Sequence, residues 1–589
     1  MIDNSGLKSL AHLNKYFYKY RVRLLLGILF VGLSNYFAVY SIKYVRQSID
    51  YVKNISSATD FSQANQQLLW FAVGILAMAL LNGFFMFLMR QTIIVMSRLI
   101  EYDMKNEIYF HYQKLDMSFY KRNNTGDLMN RISEDVSRVR MYIGPAIMYI
   151  VNTAGTFVLT IFVMVHVDLK LTLWALLPLP ILVISIYYVS EIINKKSTLV
   201  QQQLSSISTF AQEAFSGIRV LKAYNREQHS INEFEKESTA YREKNLDLVK
   251  TESLFQPFMI LLIGLSTILT IYVGGMQAIS GKISLGNIAE FVLYINRLTW
   301  PIASLGWVTS LVQRAAASQT RINEFLHTTP EISNPTLNLL NIAGMIEFKN
   351  VSFTYKDSGI KALDTISFKI NPGKSLAFIG KTGSGKSTIA NLLCRIYDVD
   401  AGEILIDGKN IKTINLNELR NQIGYVPQEV FLFSDSISNN ISFGTSSNSS
   451  DAVKQAARDA AIYSNIIEFP EKFETIVGER GITLSGGQKQ RISIARAIIK
   501  SPRILIFDDC LSAVDTETEE EILNNLQRIM KEKTSIIISH RVSSVKTCDQ
   551  IIVIDNGKII EQGSHQQLIE KQGVYYEIYN KQLLEKMNV

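Results

Sequence analysis

The sequence predicts two architectures in series. The first is an α-helical membrane domain of six transmembrane helices with long cytoplasmic extensions. The second is an α/β domain built on a phosphate-binding (P-loop) motif. Three observations predict this. Apolar residues make up 47% of the 589-residue chain and charged residues 19%, with the apolar excess in the first half. Six stretches there can each cross a hydrocarbon core of about 30 Å as a helix. From Met345 onward, short apolar runs alternate with helical patterns, as in a buried, largely parallel sheet. The boundaries fall at residues 1–327 for the membrane domain, 328–344 for a linker and 345–589 for the α/β domain.

At the N-terminus, Leu7, Leu10, Leu13 and Phe17 recur at helical spacing, with Lys8, Lys15 and Lys19 on other faces. This predicts an amphipathic helix on the membrane surface. The next run, Leu24 to Tyr44, is too long for a signal peptide and ends in no small-residue cleavage site. It is the first span. The others lie at Leu68–Met89, Tyr142–Val165, Leu171–Val189, Phe255–Met276 and Ile288–Val312. Nine Lys/Arg lie in Arg90–Met141 and nine in Ser190–Lys250, whereas the loops around Lys53, Lys170 and Lys282 are poor in them. Positive-inside then places both long connections, the N-terminus and the α/β domain in the cytoplasm of a multi-pass inner (plasma) membrane protein, in contact with membrane lipids.

Both cytoplasmic connections keep helical periodicity, as at Met96, Leu99, Ile100, Met104 and Ile108. Their turnarounds, Phe119–Leu128 and Ala214–Glu227, are either solvated hairpins or short helices that dock on the second domain. Within the spans, Glu290 and Arg297 lie two turns apart on one helix face, and Lys43 and Arg46 one turn apart. Pairing between spans and a role in a substrate cavity both account for them. Thr328–Ala343, with Pro330 and Pro335, is the linker. The net charge of +7 is spread along the chain, so no nucleic-acid partner is expected. Cys394, Cys510 and Cys548 have no metal-ligand spacing and are expected as reduced, structural thiols.

Gly380–Thr388, GKTGSGKST, fits Gly-x4-Gly-Lys-Ser/Thr. It stands between a strand-like run, Ser375–Ile379, and a helical run from Ile389, as the motif requires. Gly380, Lys381, Thr382, Gly383, Ser384, Gly385 and Thr388 would cradle phosphates with their backbone N–H groups. Lys386 would reach the β/γ-phosphates of ATP, and Ser387 would ligand Mg²⁺. A second strand-like run, Ile504–Phe507, ends in Asp508-Asp509. A carboxylate at the end of such a strand suits Mg²⁺, which assigns Asp508 to the metal and Asp509 to orienting or deprotonating a water.

Three further motifs accompany these: Leu484-Ser-Gly-Gly-Gln488, Gln428 after Gly424-Tyr-Val-Pro427, and His540 after the strand Ser535–Ser539. Together they closely resemble the nucleotide-binding domain of ATP-binding cassette (ABC) proteins. With the six spans, the chain resembles a bacterial ABC exporter half-transporter of the lipid and multidrug type. The resemblance implies that Tyr355 stacks on adenine and that Gln428 contacts Mg²⁺ and senses the γ-phosphate. It implies that His540 holds the γ-phosphate, that Thr475–Gly481 meets the cytoplasmic helices and that Ser512–Asp515 crosses to a second cassette. It also implies that Ser485, Gly486, Gly487 and Gln488 serve the nucleotide on a partner's phosphate loop, so the chain works as a dimer of half-transporters. Its expected function is ATP-driven export or flipping of a hydrophobic or amphipathic substrate by alternating access. Fusion of spans and cassette in one chain argues for export over import.

One position departs from the family pattern. Asp509 stands where a glutamate is usual, and its carboxylate is about an ångström shorter in reach. A slow homodimer and a heterodimer whose partner supplies the glutamate both fit this substitution.

Overall fold

The computed structural model describes residues 8–55, 61–335, 342–445, 449–510 and 516–587. It forms two compact units. One comprises residues up to Gln113 together with Gly126–Thr328, and the other Lys114–Thr125 together with the chain from Thr329.

The first unit is built from six long helices: α1 (Arg21–Asn54), α2 (Phe61–Lys114), α4 (Thr125–Val167), α5 (Leu169–Ser216), α7 (Glu227–Ile279) and α8 (Leu285–Leu326). Short helix α6 (Ile218–Ala223) stands at its second turnaround, while α3 (Met117–Arg122), at the first, belongs to the other unit. At about 1.5 Å per residue, the 54 residues of α2 span roughly 80 Å, far more than a bilayer core needs. The helices therefore continue beyond the membrane, as the periodicity of Met96–Ile108 predicts; Met96, Ile100, Met104 and Ile108 are all buried. α4 contains two π-helical turns, Arg131–Asp135 and Tyr142–Ala146, the second around Pro145, whose missing N–H interrupts the regular ladder. Asp135, at the end of the first, is ion-paired to Arg321 of α8.

Among the described residues, five helices are long and apolar enough to cross a membrane: α1, α2, α4, α5 and α7. The expected sixth span falls in the 42-residue α8, where Glu290, Asn296 and Arg297 make the stretch less apolar than the other five. Glu290 is buried and pairs with Arg46 of α1 at 3.4 Å, and it accepts a hydrogen bond from the Tyr294 hydroxyl at 2.8 Å. Arg297 donates to Asn35 Oδ1 at 2.9 Å, which also receives Thr156 Oγ1 at 2.7 Å. Pairing between spans thus accounts for Glu290. Asn35, the hub of the second cluster, has no sequence pattern to mark it.

The N-terminal turns differ from expectation. Leu10, Leu13 and Tyr16 are buried, Ser9 Oγ donates to Ala316 O at 3.0 Å, and Lys19 pairs with Asp103 at 2.6 Å. Of the apolar face, Leu10 and Leu13 are thus covered by protein, whereas Phe17 is half-buried. Leu7 lies outside the described residues.

The second unit holds two sheets. The larger runs β10 (Lys558–Gly563), β9 (Gln550–Asp555), β3 (Ser375–Ile379), β8 (Thr534–Ile538), β7 (Ile504–Asp508), β6 (Ile423–Val426). It is parallel except for β10. Every residue of β7 and β8 is buried, which is why these strands read as continuous apolar runs. The smaller sheet is antiparallel in the order β2 (Lys361–Ile370), β1 (Ile346–Thr354), β4 (Ala401–Ile406), β5 (Lys409–Asn410). Phe348, Phe368, Phe378, Ile506 and Ile538 belong to one core shared by both sheets and α9 (Lys386–Leu393). All three cysteines are buried and outside any disulfide, and burial pushes the Cys394 and Cys548 thiols up to about 12. Ser512–Asp515 and residues 336–341 of the linker lie outside the described residues.

Candidate functional site

The phosphate loop bridges β3 and α9. Gly383 and Gly385 adopt φ of +81° and +100°, which only glycine adopts readily. A Cβ on Gly385 would also collide with the carbonyl oxygen of Ala362. Gly385→Ala is therefore expected to lower stability by about 1–3 kcal/mol, read as a lower midpoint of thermal unfolding. Lys381, Thr382 and Gly383 are exposed at the tip of the loop, whereas Ser384, Lys386 and Thr388 are buried. Lys386 Nζ donates to the carbonyls of Gly380 and Lys381 at 2.9 and 2.7 Å. Burial lowers its pKa to about 8.

At the end of β7, Asp508 Oδ1 accepts from Ser387 Oγ at 2.9 Å. Burial raises the Asp508 carboxyl to about 6. Asp509 follows with φ +46°, its N–H bonded to Ile538 O at 2.8 Å. Gln428 Nε2, beyond β6, lies 3.4 Å from Asp509 Oδ2. His540 follows β8. Burial, with Lys386 nearby, depresses its pKa, so the ring is neutral at pH 7. Tyr355 hydrogen-bonds Thr388 Oγ1 through its hydroxyl at 3.1 Å. Tyr355 joins the site from the end of β1 in the antiparallel sheet. The topology thus gathers Gln428, Asp508, Asp509 and His540 around Gly380–Thr388, at the carboxyl ends of parallel strands. This is where an open α/β sheet binds ligands.

Ser485, Gly486, Gly487 and Gln488 form a separate feature. They open α10 (Gly486–Ile498) with a capping box, in which Ser485 Oγ accepts from Gln488 N–H at 3.3 Å and Ser485 N–H donates to Gln488 Oε1 at 3.0 Å. Ser485 and Gly486 are exposed, so the anion-attracting end of the helix faces outward. One positioning residue carries no sequence signal. Gln582, in the C-terminal helix Val574–Met587, donates to His540 O at 2.7 Å and accepts from Val542 N–H at 2.8 Å.

The ABC transporter transmembrane region matches residues 24–302 and the ABC transporter domain matches residues 363–512. The chain belongs to the ABC transporter family. This ABC transporter is 34% identical to an ATP-dependent lipid A-core flippase of Syntrophus aciditrophicus, over 89% of this chain and 88% of that one. It is 37% identical to a probable multidrug resistance ABC transporter ATP-binding/permease protein of Bacillus subtilis, over 83% and 84%. A solved bacterial Atm1-family ABC exporter with ATP bound superposes with a TM-score of 0.79 at 26% identity, covering 95% of this chain and 98% of that one. The ABC transporter described here is an ATP-hydrolysing exporter, multi-pass in the inner membrane, with its nucleotide-binding domain in the cytoplasm. Exporters of this type function as dimers of half-transporters.

Proposed function

We propose that this half-transporter moves a hydrophobic or amphipathic molecule (a drug, lipid or peptide) across the membrane by alternating access, with ATP held between two cassettes. The observation that carries this reading is the split site: a phosphate loop with its acidic strand end in one place, and an outward-facing signature helix N-terminus in another. Each half needs a second chain to complete it. Apolar surface supports the same reading. α6 buries none of its residues and exposes Ile218 and Val220. The nucleotide-binding unit separately exposes Phe431, Phe433, Phe443 and, within Thr475–Gly481, Ile476. Such patches mark protein–protein surfaces.

Tyr355 would stack on adenine and Lys386 would hold the β/γ-phosphates. Ser387, Asp508 and Gln428 fit Mg²⁺, which prefers one or two carboxylates plus substrate phosphates; bound there, it would offset phosphate charge. Asp509 would orient the attacking water and accept its proton, held by Gln428. His540 would hydrogen-bond the γ-phosphate. ATP drives the cycle because it binds the closed pair of cassettes better than the open one.

The test is ATP-dependent accumulation of a hydrophobic dye or labelled lipid in inverted vesicles, absent in Lys386→Ala. Intact ATPase with no movement of any candidate would sink the reading. A pH dependence also follows. The free Lys386 titrates at about 8 and bound polyphosphate raises that value, so affinity is full below pH 8. It falls as pH rises further, by up to about tenfold per unit. Titration with a fluorescent ATP analogue in EDTA reads this directly; affinity rising between pH 8 and 9 would contradict it.

A further inference from the structure

The turn Lys114–Thr125 joins two membrane-spanning helices, yet by its contacts it belongs to the nucleotide-binding unit. Several polar links seat it there. Asp116 caps α3, accepting from Phe119 N–H at 3.3 Å, while its other carboxylate oxygen accepts from Glu331 N–H at 2.7 Å. Arg122 reaches Asp357 at 3.2 Å and Glu331 at 3.6 Å. Phe119 is buried.

This seating brings Lys121 onto aromatic rings rather than onto a carboxylate. Its Nζ lies 4.5 Å from the centroid of Tyr355, and it also hydrogen-bonds the Tyr397 hydroxyl, whose ring centroid is 5.3 Å away. Among the described residues, no carboxylate lies within ion-pair distance of it. Tyr355 is held on its other sides as well. Phe353 and Tyr397 meet it edge-on, with centroids 4.9 and 5.5 Å away, and its hydroxyl is tied to Thr388 of the phosphate loop.

We infer that Lys121 is a positioning residue for the nucleotide base, a cation carried by the membrane domain's own turn onto the ring that receives adenine. The inference rests on the reading that Tyr355 stacks on the base. The attraction between an ammonium and the face of a phenol ring fixes Tyr355 before nucleotide arrives, so less freedom is lost on binding. The same contact runs both ways. Whatever displaces α3 weakens nucleotide binding, and bound nucleotide biases α3 by the same factor. The membrane domain therefore senses the base itself.

The experiment is steady-state ATPase against MgATP concentration, with the full-length protein in lipid nanodiscs. The variants are Lys121→Met, Lys121→Gln, Lys121→Arg, Tyr355→Leu and the double Lys121→Met/Tyr355→Leu. Lys121→Met and Lys121→Gln are expected to raise KM for ATP by about threefold to tenfold, the range a partly exposed cation–π contact supports, with kcat within about twofold of wild type. Lys121→Arg restores KM, and Lys121→Met adds nothing once Tyr355 is leucine. An unchanged KM in both Lys121 variants, while Tyr355→Leu raises it, overturns the role of Lys121 and leaves the adenine reading standing. An unchanged KM in Tyr355→Leu overturns the adenine reading beneath it. A fall in kcat alone, unrestored by arginine, also overturns the inference.

Discussion

ATP turnover is expected to rise in Asp509→Glu, by at most about 100-fold, and to fall to background in Asp509→Asn. A carboxylate one methylene too short holds its water roughly an ångström out of place, and a misplacement of that size costs on the order of 100-fold in rate. The geometry allows the gain: Gln428 Nε2 lies 3.4 Å from Asp509 Oδ2, close enough to steady a longer side chain. It also limits the gain. Asp509 sits at φ +46°, where aspartate and asparagine are favoured over glutamate, so part of the improvement is offset by backbone strain. Asp509→Asn keeps the backbone preference and removes only the base, which makes it the cleaner probe. The purified chain measured alone also decides its partner. Appreciable turnover, abolished by the asparagine, marks a homodimer. Near-zero turnover restored only by a second half-transporter marks a heterodimer.

Two inactive variants are expected to restore each other. Lys386→Ala removes the ammonium from the phosphate loop, and Gly487→Asp places a carboxylate at the helix end that should meet a γ-phosphate. Each alone is expected to lose at least about 100-fold in turnover, the scale for removing one charge-stabilising group. In a mixed dimer both lesions fall in the same composite site. The other site then pairs an intact phosphate loop with an intact Ser485–Gln488. Co-expression with two affinity tags isolates the mixed species, and its turnover should stand well above either parent. A mixed dimer no more active than its parents would show that the signature does not act across the interface.

The parts of the site readable in the sequence are those written locally. Glycine spacing in Gly380–Thr388 and a buried strand ending in Asp508 each have a local backbone cause. The alternation of long apolar runs and strand-length runs likewise announced both architectures. Contacts between distant segments were not readable. Arg46 and Glu290 are joined by the packing of two spans, and each alone reads as an isolated charge. Gln582 braces His540 from a helix near the C-terminus, where a half-buried glutamine looks like any other. Lys121 is an exposed lysine in a charged turn, and only the fold sets it over Tyr355. At the N-terminus, the amphipathic pattern shows that a face is covered, not that protein covers Leu10 and Leu13.

Lys114–Thr125 and the chain from Thr329 form one unit although about two hundred residues separate them. At roughly 5–20 residues per second, a ribosome needs on the order of 10–40 s to make the intervening stretch. Phe119 must wait at least that long for its partner segment to be made. The turn between α2 and α4 is thus left without its packing partner until the nucleotide-binding unit has been made.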